Sequence, residues 1–451
     1  MVKKIKDIYI LTFFIGIFLL LMFNRPFVGL DIFTFRVGEL LILSSLVMLS
    51  LPFLSYILKI KIFKLDIFSI SNILFVILLL FVINLFVNNS NILSSYTYKS
   101  SVYIWCIGYI FTGIIFSNIE SENKYLSKFI LPIFMVLPFL HYFFSTGYFP
   151  NFIIDFFSNY SDKFEFTKAS DIMLSLLVSN ILSFKYIKSN LFKMIYFSIS
   201  VSSLLPLLLL MSRGSFVSAV LFLSITIFYY RVYFIKNIKA SLLLFLLFLL
   251  SFTLSTYNVN DVDFSFNIGF GEANSEELSV VENVKSISKK NDTRKAFLSL
   301  YISDGRLMSI DNTTNWRLDI WQDVFYDMKD KNILIKGYGH NEIIPVMTDP
   351  SAPGRLGRDG LNENVHNYFV NIFARGGLFQ LIMFIGFYLT LINYWRKSFS
   401  NLSILIFIIP VLFNSTLDMS MEGVQYPLVF FSFLGYLLST EEDSKIINIT
   451  S

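Results

Sequence analysis

Roughly a dozen apolar runs interrupt this sequence, at about 8–23, 37–56, 67–87, 102–116, 129–144, 172–184, 194–210, 216–230, 240–256, 368–394, 403–413 and 426–438. A helix rises about 1.5 Å per residue, so crossing ~30 Å of hydrocarbon takes on the order of 20 residues. Inside lipid every backbone N–H and C=O must be satisfied by the segment itself, which leaves helices or a closed barrel. Barrel strands alternate apolar and polar side chains, and these runs do not. The sequence therefore specifies an all-α polytopic membrane protein with about 12 transmembrane helices. Composition agrees, since 55% hydrophobic against 15% charged residues is more apolar surface than a water-soluble globule of 451 residues can hide. The net charge of +4 is spread along the chain and argues against nucleic acid as a partner. The single cysteine, Cys106, lies in an apolar run and excludes both an intrachain disulfide and a cysteine-based metal cluster.

Basic residues set the expected orientation. Lys3, Lys4 and Lys6, then Lys59, Lys61 and Lys64, then Lys124 and Lys128, then Lys185, Lys188 and Lys193, then Arg231, Lys236 and Lys239, then Arg396 and Lys397 fall on every second loop, which marks that side as cytoplasmic. The intervening short loops carry few: Arg25, Arg36, Lys99, Lys163, Lys168 and Arg213. An even number of spans puts both termini inside, and the first run lacks the small-residue site of a cleavable signal peptide. Three parts follow. Residues 1–256 form nine helices, 257–367 an extracytoplasmic subdomain, and 368–451 three more helices and a cytoplasmic tail.

A structureless loop as long as 257–367 is improbable in a compact fold. Its first half, 258–295, is rich in Glu, Ser, Lys and Asn and reads as poorly ordered. In NTTNWRLDIWQDVFYDM, Trp316, Ile320, Trp321, Val324, Phe325 and Met328 recur at spacings of three and four. This predicts an amphipathic helix capped by Thr313, Thr314 or Asn315, lying on the membrane with its tryptophans among the headgroups. KGYGHNE follows as a glycine turn with two permissive positions, then PSAPGRLGRDG with Arg355 and Arg358, then LNENVHNYFVNIFARGG.

Three side chains stand out as chemistry. Arg213, in the turn MSRGS, is either an interfacial anchor or, flanked by Ser212, Gly214 and Ser215, a phosphate ligand. Arg317 follows Trp316 near a helix start that attracts anions; the bland alternative is an ion pair with Asp319 or Asp323. His366, with Asn364 as cap, is expected in the first turn of the tenth span, where the helix dipole keeps imidazole neutral and able to act as general base. The alternative for His366 is a hydrogen bond to Glu363 or Asn341 and nothing more; His340 competes for the base role, and His141 reads as packing. Three histidines without an HxxxH pairing give a weak metal signal and leave Asp and Glu as the alternative ligands. Arginines and a neutral histidine on one side, without a nucleotide-binding glycine motif, suit a lipid-linked pyrophosphate donor and need no nucleotide or redox cofactor.

NWRLDIWQDVF, GYG, VHNYFVNIFARGGLFQLIMF, MSRGSFVSAV and LDMSMEGVQYPLVFFSFLGYLL together resemble the O-antigen ligase and O-antigen polymerase family of bacterial membrane glycosyltransferases, over about 204–438. The resemblance implies a metal-independent, inverting transfer of C-type architecture at the periplasmic face of the inner membrane. It implies an undecaprenyl pyrophosphate-linked glycan as donor and a lipid or glycan acceptor such as lipid A core, with chain-length regulators or flippases as partners. On it, Arg213 and Arg317 hold the donor and His366 activates the acceptor hydroxyl. Asn367 and Tyr338 are supporting residues, Arg375 and Arg355 weaker ones, and Asp418 and Glu422 either contact sugar or face water. The outer segment 145–170 has only lysines as basic residues, which favours ligase over polymerase. A flippase for the same lipid would be expected to carry midplane charges or an internal repeat, which the sequence lacks. A noncatalytic scaffold would leave His366 and both arginines without a role.

Overall fold

The structure, a computed structural model, describes residues 2–58, 68–120, 124–163, 167–259, 300–303, 305–352, 354–356 and 362–439, with backbone alone for 2–7, 118–120 and 124–129. Most of the segment read as poorly ordered, the three lysines after the second run, and Arg358 lie outside the described residues. The helices are α1 (Val2–Val28), α2 (Val37–Leu58), α3 (Phe68–Val87), α4 (Ser95–Ser100), α5 (Val102–Trp105), α6 (Tyr109–Glu120), α7 (Lys124–Ser145), α8 (Asn151–Tyr160) and α9 (Ala169–Tyr186) in the first part. Then come α10 (Asn190–Met211), α11 (Arg213–Tyr229), α12 (Arg231–Lys236), α13 (Ile238–Val259), α14 (Asn312–Asp330), α15 (Tyr368–Phe399), α16 (Leu405–Leu417) and α17 (Gln425–Leu438).

Every apolar run falls on a helix, and the chain is a multi-pass membrane protein. Length qualifies the expected twelve. Among the described residues six helices are long and apolar enough to cross a membrane: the 8–28 part of α1, then α2, α3, α10, α13 and α15. Residues 102–117 and 130–145 and helices α11, α16 and α17 are apolar but only 10–17 residues long. Helix α9 is different again. It carries Ser175, Ser179, Asn180 and Ser183 and is buried from Ala169 to Phe184, packed against α7, α10 and α11, so protein rather than lipid solvates it. Helix α17 is equally buried and crosses α6 at glycines: a Cβ on Gly113 would stand 1.8 Å from the Ser432 carbonyl oxygen, and one on Gly435 1.9 Å from that of Ile110.

Two short hairpins, neither legible in the sequence, complete the described fold: β1 (Asp31–Ile32) with β2 (Phe35–Arg36), and β3 (Leu300–Ser303) with β4 (Arg306–Ser309). The second leads into α14, whose cap is Asp311, not Thr313, Thr314 or Asn315: its carboxylate accepts from the Thr314 N–H at 2.9 Å. The apolar stripe of α14 also departs from expectation. Ile320, Val324 and Met328 are buried with Ile344, Val346, Met347, Val365 and Ala374, and Trp316 and Trp321 pack on this small core. Trp321 Nε1 donates to the Val365 carbonyl at 2.7 Å. Periodicity reports a face that must be covered; here protein covers it at Ile320, Val324 and Met328, while Phe325 is exposed.

This core is fastened to the bundle by backbone. The KGYG turn lies against a break in α15, with Tyr338 N–H donating to Ala374 O at 2.8 Å and Leu378 N–H to Leu334 O at 2.9 Å. Gly377 makes the break possible: its φ is +74°, and a Cβ there would meet the Ile335 carbonyl oxygen at 1.9 Å. The two permissive positions of the turn, Gly337 and Gly339, have φ of +70° and +84°.

Candidate functional site

At one end of the bundle α1, α10 and α16 finish while α9, α11, α15 and α17 begin, and the small core sits there. A cleft opens at this end, lined among others by Arg25, Lys168, Asp171, Asn364, Asp418 and Glu422. Arg36 and Lys99, two more of the sparse basic residues of the short outer loops, pair with Asp162 at 2.8 Å and with Glu363 at 2.7 Å.

The structure brings Arg213, Arg317 and His366 together through two acids. Ser212 caps α11, which sets Arg213 in the first turn, and its guanidinium pairs with Asp311 at 3.0 Å. Asp311 is also the cap of α14, the helix that carries Arg317. Burial lowers the Arg317 pKa, while the charges of Asp418 and Asp311 oppose that shift. Its Nε is shielded and has no hydrogen-bond partner among the described residues. The bland pairing of Arg317 with Asp319 or Asp323 does not form, because those carboxylates are taken: Arg306 reaches them at 2.7 and 2.6 Å, and Arg355 reaches Asp319 at 2.6 Å and also binds Asp323. A shielded guanidinium nitrogen without an acceptor costs about 1–3 kcal/mol or more, so the position is set for an anion.

His366 is not in the first turn of α15. Asn367, rather than Asn364, is the cap, its side chain accepting from the N–H groups of Phe369 at 3.0 Å and Val370 at 3.1 Å. His366 precedes the cap with φ of 54°, a left-handed conformation that only a few per cent of non-glycine residues adopt. Its ring lies edge-on to Trp316 at 5.1 Å. Nε2 is 2.8 Å from Asn362 Oδ1, which as a carbonyl oxygen only accepts; Nε2 therefore carries the hydrogen and Nδ1 keeps its lone pair. Nδ1 is shielded and unpartnered among the described residues. The imidazole is neutral as expected, but for a different reason: burial first, then the charge of Arg317, lower its pKa to about 4, with Asp418 acting in the opposite direction.

The other predicted residues are placed elsewhere. His340 is bolted into the seam between α3, α5 and the small core, with Tyr103 Oη 3.2 Å from its Nε2 and Asn84 Oδ1 3.2 Å from its Nδ1. Burial and the charge of Arg375 lower its pKa to about 3. His141 packs against Ser175 at 3.0 Å. Arg375 donates to the carbonyls of Gly339 at 3.3 Å and of Glu342, and to Tyr96 Oη at 3.1 Å. Tyr338 Oη donates to Asp327 at 2.6 Å. Arg355 is held by its two aspartates and Asn367 by its capping bonds, so these four residues position backbone and helix ends. Asp418 and Glu422 lie on the cleft. Asp311, Lys168 and Asp171 are what the sequence reading missed; only the unusual outer position of Lys168 hinted at one of them.

Residues 198–385, which hold all three converging side chains, match the family model described as O-Antigen ligase. This stretch is similar to the O-antigen ligase and polymerase family. Members of this family are glycosyltransferase-type membrane enzymes. No curated protein matches the chain significantly. The match stops short of the cleft turn at Asp418 and Glu422 and of Lys168, so those residues rest on geometry alone.

Proposed function

We propose that this protein, like the O-antigen ligases that its residues 198–385 resemble, transfers a glycan from a polyprenyl pyrophosphate, undecaprenyl pyrophosphate in bacteria, to a hydroxyl of lipid A core or a similar acceptor at the periplasmic face of the inner membrane. The observation that carries this reading is one cluster holding Arg213, Arg317 and His366, with Arg317 Nε and His366 Nδ1 shielded and unpartnered. Arg213 and Arg317 bind the pyrophosphate, each supplying charge-assisted hydrogen bonds. The acceptor oxygen attacks the anomeric carbon, the bond from that carbon to pyrophosphate breaks with inversion, and the hydroxyl proton passes to His366. Charge that builds on the departing pyrophosphate is met by the two guanidinium groups. Arg317 is also one cause of the low basicity of His366, so an anion bound to Arg317 offsets that charge and makes the ring a better base when the donor is in place. The protein's own residues supply each of these roles without a metal or redox group.

Ligase and polymerase differ in the acceptor, and surface polysaccharide from a strain lacking the protein separates them on a gel. A ligase gives loss of all attached polymer; a polymerase leaves core carrying a single repeat unit. An unchanged ladder would rule out both.

A further inference from the structure

Glu422 is the residue that the reaction above leaves unused, and its setting is unusual. It ends a short 3-10 turn, Ser420–Glu422, between α16 and α17. Both carboxyl oxygens are shielded and neither has a hydrogen-bond partner among the described residues. Buried polar atoms in folded proteins are almost always paired, and one that is not calls for a ligand or a cost. Glu422 lines the cleft that also contains Asp418, the acid acting on His366 and Arg317. Around the same cleft stand Ser170, Ser420, Asn364 and Gln425, with Met419 as the apolar member. Such a set of hydroxyls, amides and carboxyls both donates and accepts, and suits a hydroxyl-rich ligand more than an apolar one.

We propose, building on the transferase reading, that this cleft is the subsite for the acceptor saccharide and that Glu422 hydrogen-bonds one of its hydroxyls. The form of the carboxyl fits. Burial, then the charge of Asp418, push its pKa up to about 8 against the pull of Arg375, so below that pH it is a neutral acid with one donor and one acceptor, as a sugar hydroxyl is. The charged groups around it are Asp418 from the same turn, Arg375 from α15, Lys168 and Asp171 from α9 and its approach, and Arg25 from α1. Ionisation above about pH 8 removes the donated hydrogen bond.

The test is calorimetric binding of the acceptor oligosaccharide, freed of its lipid, to the full-length protein in nanodiscs, with transfer assayed in parallel. Glu422→Leu should weaken saccharide binding about tenfold, the worth of one lost hydrogen bond to a buried group. Glu422→Gln, which keeps a donor and an acceptor, should stay within about threefold of wild type. Wild-type affinity should fall as pH rises through about 8, and that of the Gln variant should not. Unaltered binding in the Leu variant overturns the subsite, as does the same alkaline loss in both wild type and the Gln variant; the latter readout stands if the Leu variant does not fold. Transfer by wild type together with undiminished binding by the Leu variant sinks this proposal and leaves the transferase. Saccharide binding that needs Glu422, without any transfer by wild type, does the reverse.

Discussion

The seam that joins the small core to the bundle and the cleft at the bundle's end are built from the same residue types, with opposite bookkeeping of their polar groups. In the seam, His340 has a partner on each ring nitrogen, Arg375 is spread over two carbonyls and a tyrosine, and Arg355 grips two aspartates. At the bundle's end, His366 Nδ1 and Arg317 Nε, and on the cleft both Glu422 oxygens, are shielded and unpaired among the described residues. Histidine or arginine in a conspicuous loop is therefore not what marks function here. What sets this end of the bundle apart is that such unpartnered atoms lie on side chains tied together by charge, Arg317 acting on His366 and Asp418 on both and on Glu422, a cost that ligand binding can offset.

The sharpest way to break this comparison is to truncate one arginine from each region. Arg317→Ala should cut transfer by about 10²-fold or more through lost donor stabilisation, with the protein still folded. Arg355→Ala should leave transfer per folded molecule unchanged but lower stability by about 2 kcal/mol, since Asp319 and Asp323 then share only Arg306. Thermal melts alongside transfer rates check both, and equal losses of activity would erase the distinction. Next in size, Gly377→Ala should cost about 3 kcal/mol or more, because it strains a φ of +74° and drives a Cβ toward Ile335 O; the melting temperature reads this directly.

Proton binding sharpens the comparison further. Both rings are held neutral in the fold, with pKa values lowered to about 4 at His366 and about 3 at His340 from an ordinary 6.5. Their stabilising contribution is thus complete above about pH 6.5 and is lost as pH falls toward those values. In Arg317→Ala the His366 pKa should move up toward 6.5 while that of His340 stays, as read by NMR titration of labelled imidazoles. The smallest expected effect is Asp311→Asn. Asparagine caps a helix as well as aspartate, so stability should change by less than about 1 kcal/mol, while loss of the Arg213 ion pair should alter donor affinity.

The spans were legible in the sequence because lipid filters backbone and side chain so strictly; how many helices reach across by length was not, since a helix such as α9 can be solvated by its neighbours. Caps were misplaced by a few residues, Asn364 for Asn367 and Thr313, Thr314 or Asn315 for Asp311. Several residues in each stretch could cap, and tertiary contacts choose among them. The stripe of α14 is buried against protein at Ile320, Val324 and Met328 and open at Phe325, for periodicity does not name the cover. Arg355 and Arg375 could not be separated from Arg317 by sequence, because their partners lie tens of residues away. The same distance hid the cleft, assembled from α1, the approach to α9, the segment before α15 and the α16–α17 turn.

The central claim is that the unpaired histidine, and not the bolted one, carries the transfer. Initial rates of glycan transfer by purified His366→Ala and His340→Phe, each normalised to folded protein in nanodiscs, test it most directly. The account predicts a loss of at least about 10²-fold for His366→Ala and a rate near wild type for whatever fraction of His340→Phe folds. Wild-type transfer by His366→Ala would contradict it.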